Sequence, residues 1–230
     1  MHQFWLIRHA LVHRDSLAYL YGTDDVPVCT ETMEAQEANY AALASRLPHP
    51  ARLVCTPLSR TQLTADALVR AGYPAQERLI DPAFIEQDFG DWQGVPIATF
   101  DARGHGERHP FWPIHAAETP PGGESFSHLI ERVGAGLEAL LETAAGKHTV
   151  IVSHGGAIRA ACAYAMGLTP HQALCLQIDN ISLTRISHTE RGWRVLSVNE
   201  YSSTPACPPD ATPPIAQASQ DATPTQGVLS

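Results

Sequence analysis

The sequence predicts an α/β fold, a three-layer α/β/α sandwich around a mostly parallel mixed sheet with a C-terminal hairpin. Three observations carry that expectation. Short apolar runs alternate with segments of helical period, which is the signature of βαβ units. Two of those runs, Phe4-Trp5-Leu6-Ile7 and Val150-Ile151-Val152, each lead into a histidine at a polar turn, His9 and His154. Two alternating stretches near the end flank Glu190-Arg191-Gly192, as in a hairpin.

The elements follow in order. The first apolar run makes a strand that ends at Arg8. A helix is expected near Thr32 to Leu47, a strand at Leu53 to Thr56 and a helix from Ser59 to Ala71. Between about 95 and 124 the pattern fails, and Gly104, Gly106, Pro110, Pro113, Pro120, Pro121, Gly122 and Gly123 mark an insertion. A long amphipathic helix runs from Ser125 to about Ala145, followed by a strand at Thr149 to Ser153. A helix then opens at Gly155-Gly156 and closes near Gly167. Ile181 to Ser187 and Trp193 to Val198 complete the hairpin and make the sheet mixed. Residues 1–201 are expected to form one domain. Residues 202–230, rich in Pro, Thr, Ala, Ser and Gln, have little to bury and are expected to be a disordered tail.

Composition narrows the function classes. A chain of 230 residues with 44% hydrophobic and 17% charged residues has the makings of an ordinary soluble globular protein with a real core. A formal net charge of −9 argues against a broad nucleic-acid surface, which needs cations to displace the counterions of the phosphate backbone. Neither a signal peptide nor a membrane span is legible, so no membrane partner and a cytoplasmic location are expected. Cys29, Cys55, Cys162, Cys175 and Cys207 are odd in number and lack a Cys-x-x-Cys pair, which fits reduced thiols better than a disulfide framework.

If the two histidine-tipped strands are neighbours in a parallel sheet, both imidazoles enter the crevice at its carboxyl edge, where open α/β sheets place ligands. Arg8 beside His9 suggests phosphate as that ligand, since guanidinium stays charged and its paired donors match two phosphate oxygens. The helices opening after Ser59 and after His154 would add backbone N–H groups and a positive dipole end. Each residue also has a plain structural reading: a strand end meeting solvent, a solvated arginine at Arg60, a tight strand-to-helix turn, a loop carboxylate at Glu86. Their conjunction carries the functional reading.

The chain resembles the histidine phosphatase superfamily, the phosphoglycerate-mutase-like fold, from Phe4 to about Asn199. Arg8-His9-Ala10 is similar to the family's Arg-His-Gly, and Thr56-Pro57-Leu58-Ser59-Arg60 to its Ser-Pro-Leu-Ser-Arg. The segment from Glu86 to Gly94 is similar to its acid-donor loop, Pro121-Gly122-Gly123-Glu124-Ser125 to its Gly-Gly-Glu-Ser turn, and Ser153-His154-Gly155-Gly156 to its second histidine motif. The resemblance implies a metal-independent phosphomonoester hydrolase, without a cofactor, acting on a small phosphate ester. His9 would be the nucleophile, its tautomer fixed by a backbone carbonyl and its neutral form favoured by neighbouring arginines. His154 would donate to a phosphoryl oxygen and Glu86 would protonate the leaving group, ahead of Asp88 and Asp91. Arg8, Arg60, His154 and Gly155 would bind the phosphate.

The acid-donor loop and the Pro-Gly-Gly-Glu-Ser turn look most like the branch of α-ribazole phosphatases and broad-specificity phosphatases. A phosphoglycerate-mutase-type phosphoryl transferase and a non-catalytic phosphate- or partner-binding module stay open as alternatives. Ala10 stands where the family has glycine, which requires negative φ and room for a methyl group. Leu11, Val12 and Asp15 replace Glu, Thr and Asn, so the segment from Leu11 to Tyr21 is expected to take another path. A serine hydrolase lacks its Gly-x-Ser-x-Gly elbow, and no Gly-x-Gly-x-x-Gly follows the first strand. His105, Glu107, His109 and His115 could meet a metal, but a solvated loop fits their Pro/Gly-rich setting better, and no metal site is expected. Phe111-Trp112-Pro113 would either wall the leaving-group pocket or anchor the insertion.

Overall fold

The computed structural model describes residues 1–74, 77–100, 108–143 and 146–202. Its strands are β1 (His2–Arg8), β2 (Arg52–Cys55), β3 (Arg78–Ile80), β4 (His148–Ser153), β5 (Leu183–Thr189) and β6 (Gly192–Glu200). They form a six-stranded sheet in the order β3-β2-β4-β1-β5-β6. The first four in that order run parallel, and β5 and β6 add antiparallel pairs at one side.

Alternation along the central strands assigns side chains to two faces. Phe4 and Leu6 of β1 and Ile151 of β4 pack with Leu129, Val133 and Leu137 of α5 (Phe126–Glu142) and Ile158 and Ala161 of α6 (Gly155–Met166). On the other face Ile7, Leu53, Val150 and Val152 meet Tyr40 and Leu43 of α2 (Glu37–Arg46) and Ala65 and Leu68 of α3 (Ser59–Arg70). Full burial of each such aliphatic or aromatic side chain is worth about 1.5–3 kcal/mol. A one-residue slip would exchange the two faces, so the pairing of Leu6 with Ile151 and of Arg8 with Ser153 is strongly specified. This register brings the two histidine turns out of the sheet side by side.

The expected architecture is present, with local corrections. The helix expected from Thr32 to Leu47 is two, α1 (Thr30–Ala35) and α2, because Gln36 leaves helical geometry at φ −104°, ψ 17°. α1 buries no residue while α2 buries Tyr40, Leu43 and Ala44, so the break lets α2 alone lie along the sheet. β3 escaped the sequence reading because it has three residues, two of them exposed, and is held through backbone pairing with β2. Two short helices were also missed, α4 (Ile97–Phe100) and α7 (Pro170–Leu174), the latter opened by a Thr169/Gln172 capping box. β5 begins at Leu183 because Ile181 takes φ 52° and donates its N–H to the Arg8 carbonyl at 2.9 Å.

Gly104, His105, Gly106, Glu107, Ala145, Cys207 and the tail after Ser202 lie outside the described residues. Cys29, Cys55, Cys162 and Cys175 are free. Among the described residues no helix is long and apolar enough to cross a membrane.

Candidate active site

His9 leaves β1 with its N–H donating to the Ser153 carbonyl at 2.9 Å, and its ring centroid lies 5.1 Å from that of His154. The ring is 1% exposed. Its Nδ1 lies 2.7 Å from the Ala10 carbonyl, a contact in which the nitrogen must carry the proton, so Nε2 keeps a free lone pair. Burial, then the charges of Arg8 and Arg60, hold the His9 pKa well below the ordinary histidine value. Neutral imidazole is therefore the resting form. Asn180 Nδ2 donates to the His9 carbonyl at 2.8 Å, and the adjoining left-handed Ile181 is backbone strain located at the site.

Arg60, at the start of α3, is completely buried. Its Nη1 and Nη2 donate to the carbonyls of Asp24 at 2.6 Å and Gly22 at 2.7 Å, and its Nε to His154 Nδ1 at 3.3 Å. Three of the five guanidinium N–H groups are thus engaged, and one remains on each terminal nitrogen. With Nδ1 accepting, the His154 proton sits on Nε2, which faces Thr56 Oγ1 at 3.0 Å. The donation expected from His154 to a phosphoryl oxygen is spent on Thr56 in the free site. Burial is again the first cause that holds His154 well below the ordinary value, followed by His9 and the arginines.

Glu86 reaches the opening of α6. Its Oε2 accepts from Gly156 N and its Oε1 from Gln87 N, both at 3.0 Å. A Cβ on Gly156 would lie 2.1 Å from Glu86 Oε1 and 3.0 Å from Trp112 Cη2, so only glycine admits this carboxylate and this ring together. Arg132 of α5 pins the segment that carries Glu86. Its guanidinium donates to the carbonyls of Pro82, Ala83, Ile85 and Glu86 and pairs with Glu124, which in turn accepts from Asp88 N. Gln87, fully buried, accepts from Trp112 Nε1 at 2.8 Å and donates to the Glu124 carbonyl.

The structure thus gathers Arg8, His9, Arg60, Glu86, His154 and Gly155 around the carboxyl ends of β1 and β4. Asp88 instead caps Gly90 N, and Asp91 is exposed. Ala10 is buried without positive φ, its N–H donating to Thr64 Oγ1, which meets the condition for replacing glycine. Leu11 and Val12 pair with Cys29 and Val28, and the exposed Asp15 carboxylate sits beside His13 and Arg14. Trp112 is anchored among Phe89, Phe126 and Gln87, with its Cη2 3.0 Å from where a Gly156 Cβ would stand, whereas Phe111 is 61% exposed beside His109.

The sequence reading missed Thr56 as a partner of His154, and also Gln87, Asn180, Arg132 and Arg159. Arg159 was legible as the residue four after Gly155 on one helix face; Arg132 carried no local signal.

His109 groups with His171 and Cys175, whose ligand atoms all lie within 4.8 Å of one another, while His105 and Glu107 lie outside the described residues. Its Nδ1 accepts from Phe111 N at 3.1 Å and its Nε2 lies 3.2 Å from the His171 carbonyl, so both ring nitrogens are already engaged.

A histidine phosphatase superfamily (branch 1) model matches residues 4–201. The chain belongs to that superfamily. It is 28% identical over 193 residues to a probable phosphoglycerate mutase of Yersinia enterocolitica, covering 84% of this chain and 88% of the relative. A mycobacterial glucosyl-3-phosphoglycerate phosphatase solved with VO3 superposes with TM-score 0.72 at 25% identity, covering 86% of this chain and 99% of that one. The α-ribazole phosphatase of Shigella flexneri, at 21% identity, covers 86% and 96% with TM-score 0.68, a likeness of fold.

Proposed function

We propose that this histidine phosphatase superfamily member is a metal-independent phosphomonoester hydrolase that works through a phosphohistidine on a small phosphorylated metabolite. The observation that carries the reading is the His9 ring: buried, neutral, anchored through Nδ1, with its Nε2 lone pair open among Arg8, Arg60 and His154. Nε2 attacks phosphorus, an N–P bond forms and the P–O ester bond breaks. Glu86 gives the departing alkoxide its proton. Water then attacks the phosphohistidine, Glu86 takes the proton from that water, and the N–P bond breaks to release inorganic phosphate.

Arg8, Arg60 and the Gly155 end of α6 neutralise charge on the equatorial oxygens of a loose transition state. His154 joins them by exchanging Thr56 Oγ1 for a phosphoryl oxygen. The site belongs to a domain of residues 1–201, with 202–230 as an appended tail, and the compartment proposed is the cytoplasm. α-Ribazole phosphate and a broad set of monoesters are the first substrates to try. The names of the Yersinia relatives favour a second reading, phosphoryl movement within one substrate.

The test is phosphate release from para-nitrophenyl phosphate in EDTA by the wild-type chain and by folded His9→Ala. Turnover lost with His9 supports the reading; equal turnover by both overturns it, and inactivity of both leaves a phosphate-binding module. Phosphorus NMR of a 3-phosphoglycerate incubation separates the two reactions, since a hydrolase yields inorganic phosphate and a mutase yields the 2-isomer.

A further inference from the structure

Arg159 lies on α6 four residues after Gly155, and its side chain reaches back toward the helix start. A Cβ built on Gly155 would lie 3.1 Å from Arg159 Nη1 and 3.4 Å from Arg8 Nε, so the two guanidinium groups converge above this one glycine. Both are tethered to the same loop, Arg159 Nε to the Leu176 carbonyl at 2.7 Å and Arg8 Nη1 to the Ile178 carbonyl at 2.6 Å. Among the described residues neither has a carboxylate within ion-pair distance, and Arg8 Nε is buried without a hydrogen-bond partner. Trp112 lies under Arg159, 5.4 Å from ring centroid to Cζ.

Burial, followed by the like charge of Arg8, pushes the Arg159 pKa down to about 10, which leaves it cationic at neutral pH. Two partly desolvated like charges are costly in the free protein; Glu86 and Asp179 offset that cost only from beyond ion-pair distance, and an anion between the two guanidinium groups would lower it further. Glu86 and Trp112 flank the same helix start at Gly156, so this corner lies on the side of the acid that serves the departing oxygen.

We propose that Arg159, beside Arg8, forms a second anion subsite for the leaving group, with Arg8 lying between it and the transferred phosphate, selecting phosphate esters that carry a further carboxylate or phosphate a short spacer from the ester oxygen. The inference rests on the phosphomonoester reading above. Arg159 is then the specificity-determining residue, and Trp112 holds its guanidinium plane.

The test is binding to the full chain carrying His9→Ala, where turnover does not intrude. Calorimetry compares phosphoglycolate with ethyl phosphate, which share a two-carbon spacer and differ by a carboxylate. Propane-1,3-diol bisphosphate against propyl phosphate tests a second phosphate in the same way. At least one anionic probe should bind about tenfold more tightly than its neutral partner. Arg159→Met, which keeps an apolar stem on Trp112, should erase that advantage while leaving ethyl phosphate binding unchanged, and Arg159→Lys should restore part of it.

No anionic preference in the parent, or a preference that survives Arg159→Met, overturns the subsite. Equal weakening of every probe would make Arg159 a brace for Trp112 and the 176–178 loop, and would overturn it too. Because these are binding constants, loss of the hydrolase reading would show separately, as phosphate release by wild type that does not depend on His9.

Discussion

β1 and β4 carry histidines at both ends, and the two ends behave differently. At the amino end His2 is 8% exposed, its Nδ1 lies 3.1 Å from the Gly146 carbonyl and its Nε2 lies 2.9 Å from Thr149 Oγ1. At the carboxyl end His9 is as deeply buried, but one ring nitrogen is anchored and the other is open. Burial lowers the pKa at both. Both also feel cations, His2 those of Arg52 and the chain amino group and His9 those of Arg8 and Arg60; what separates them is that both His2 ring nitrogens have partners, whereas His9 leaves one open beside guanidinium groups drawn in by backbone carbonyls. A buried histidine is therefore no sign of chemistry by itself. An unused lone pair among unneutralised cations is one.

The sharpest way to break this contrast is to truncate both histidines. His9→Ala should lower phosphate release by about 10³-fold or more with little change in melting temperature. His2→Ala should leave turnover within about twofold but cost about 1–3 kcal/mol in denaturant unfolding, because Thr149 and the Gly146 carbonyl lose a buried partner. Comparable activity losses in both variants would erase the distinction.

Arg60→Lys should cost about 10²-fold in kcat/KM, since an ammonium cannot hold two loop carbonyls, His154 and a phosphate in one plane. Steady-state kinetics with a retained melting temperature checks this. Glu86→Gln should cost about 10²-fold with an alkyl phosphate and far less with para-nitrophenyl phosphate, whose leaving group needs little protonation. Equal losses on both substrates would remove Glu86 from the role of acid.

The smallest effect is on stability against pH. His9, His154 and His2 all have folded-state pKa values below the unfolded value of about 6.5, so the unfolded chain binds more protons in acid. Their neutral burial is fully compatible with folding above pH about 6.5, and stability is lost as pH falls through that value toward the folded pKa values, by up to about 1.4 kcal/mol per pH unit for each group. His2→Gln should flatten the urea-unfolding free energy between pH about 6.5 and 5 without moving the pH profile of turnover, whereas His9→Gln should flatten the same curve and abolish turnover.

Much of the site was legible from the chain because its parts are local. Arg8-His9, Ser153-His154-Gly155 and Ser59-Arg60 each combine a strand or helix end with the residue it presents, and the common direction of the parallel strands puts their carboxyl ends at one edge of the sheet. The carbonyl that fixes the His9 tautomer is that of the next residue, Ala10, so even this contact is nearly sequential. The break at Gln36 and the three-residue β3 were not legible, because packing of α2 and pairing with β2 decide them against weak local preferences.

The amino-acid sequence by itself determined the layered α/β fold, the two histidine turns and the family resemblance, since each depends on periodicity or on residues a few positions apart. Only the tertiary structure decided which donors are already spent. Arg132 reaching across to hold the Glu86 segment, Thr56 taking the His154 proton and Arg159 folding back beside Arg8 join distant segments or depend on side-chain direction. Hydrogen bonds and like-charge contacts depend on distance and angle to within a fraction of an ångström, and three-dimensional packing sets those quantities.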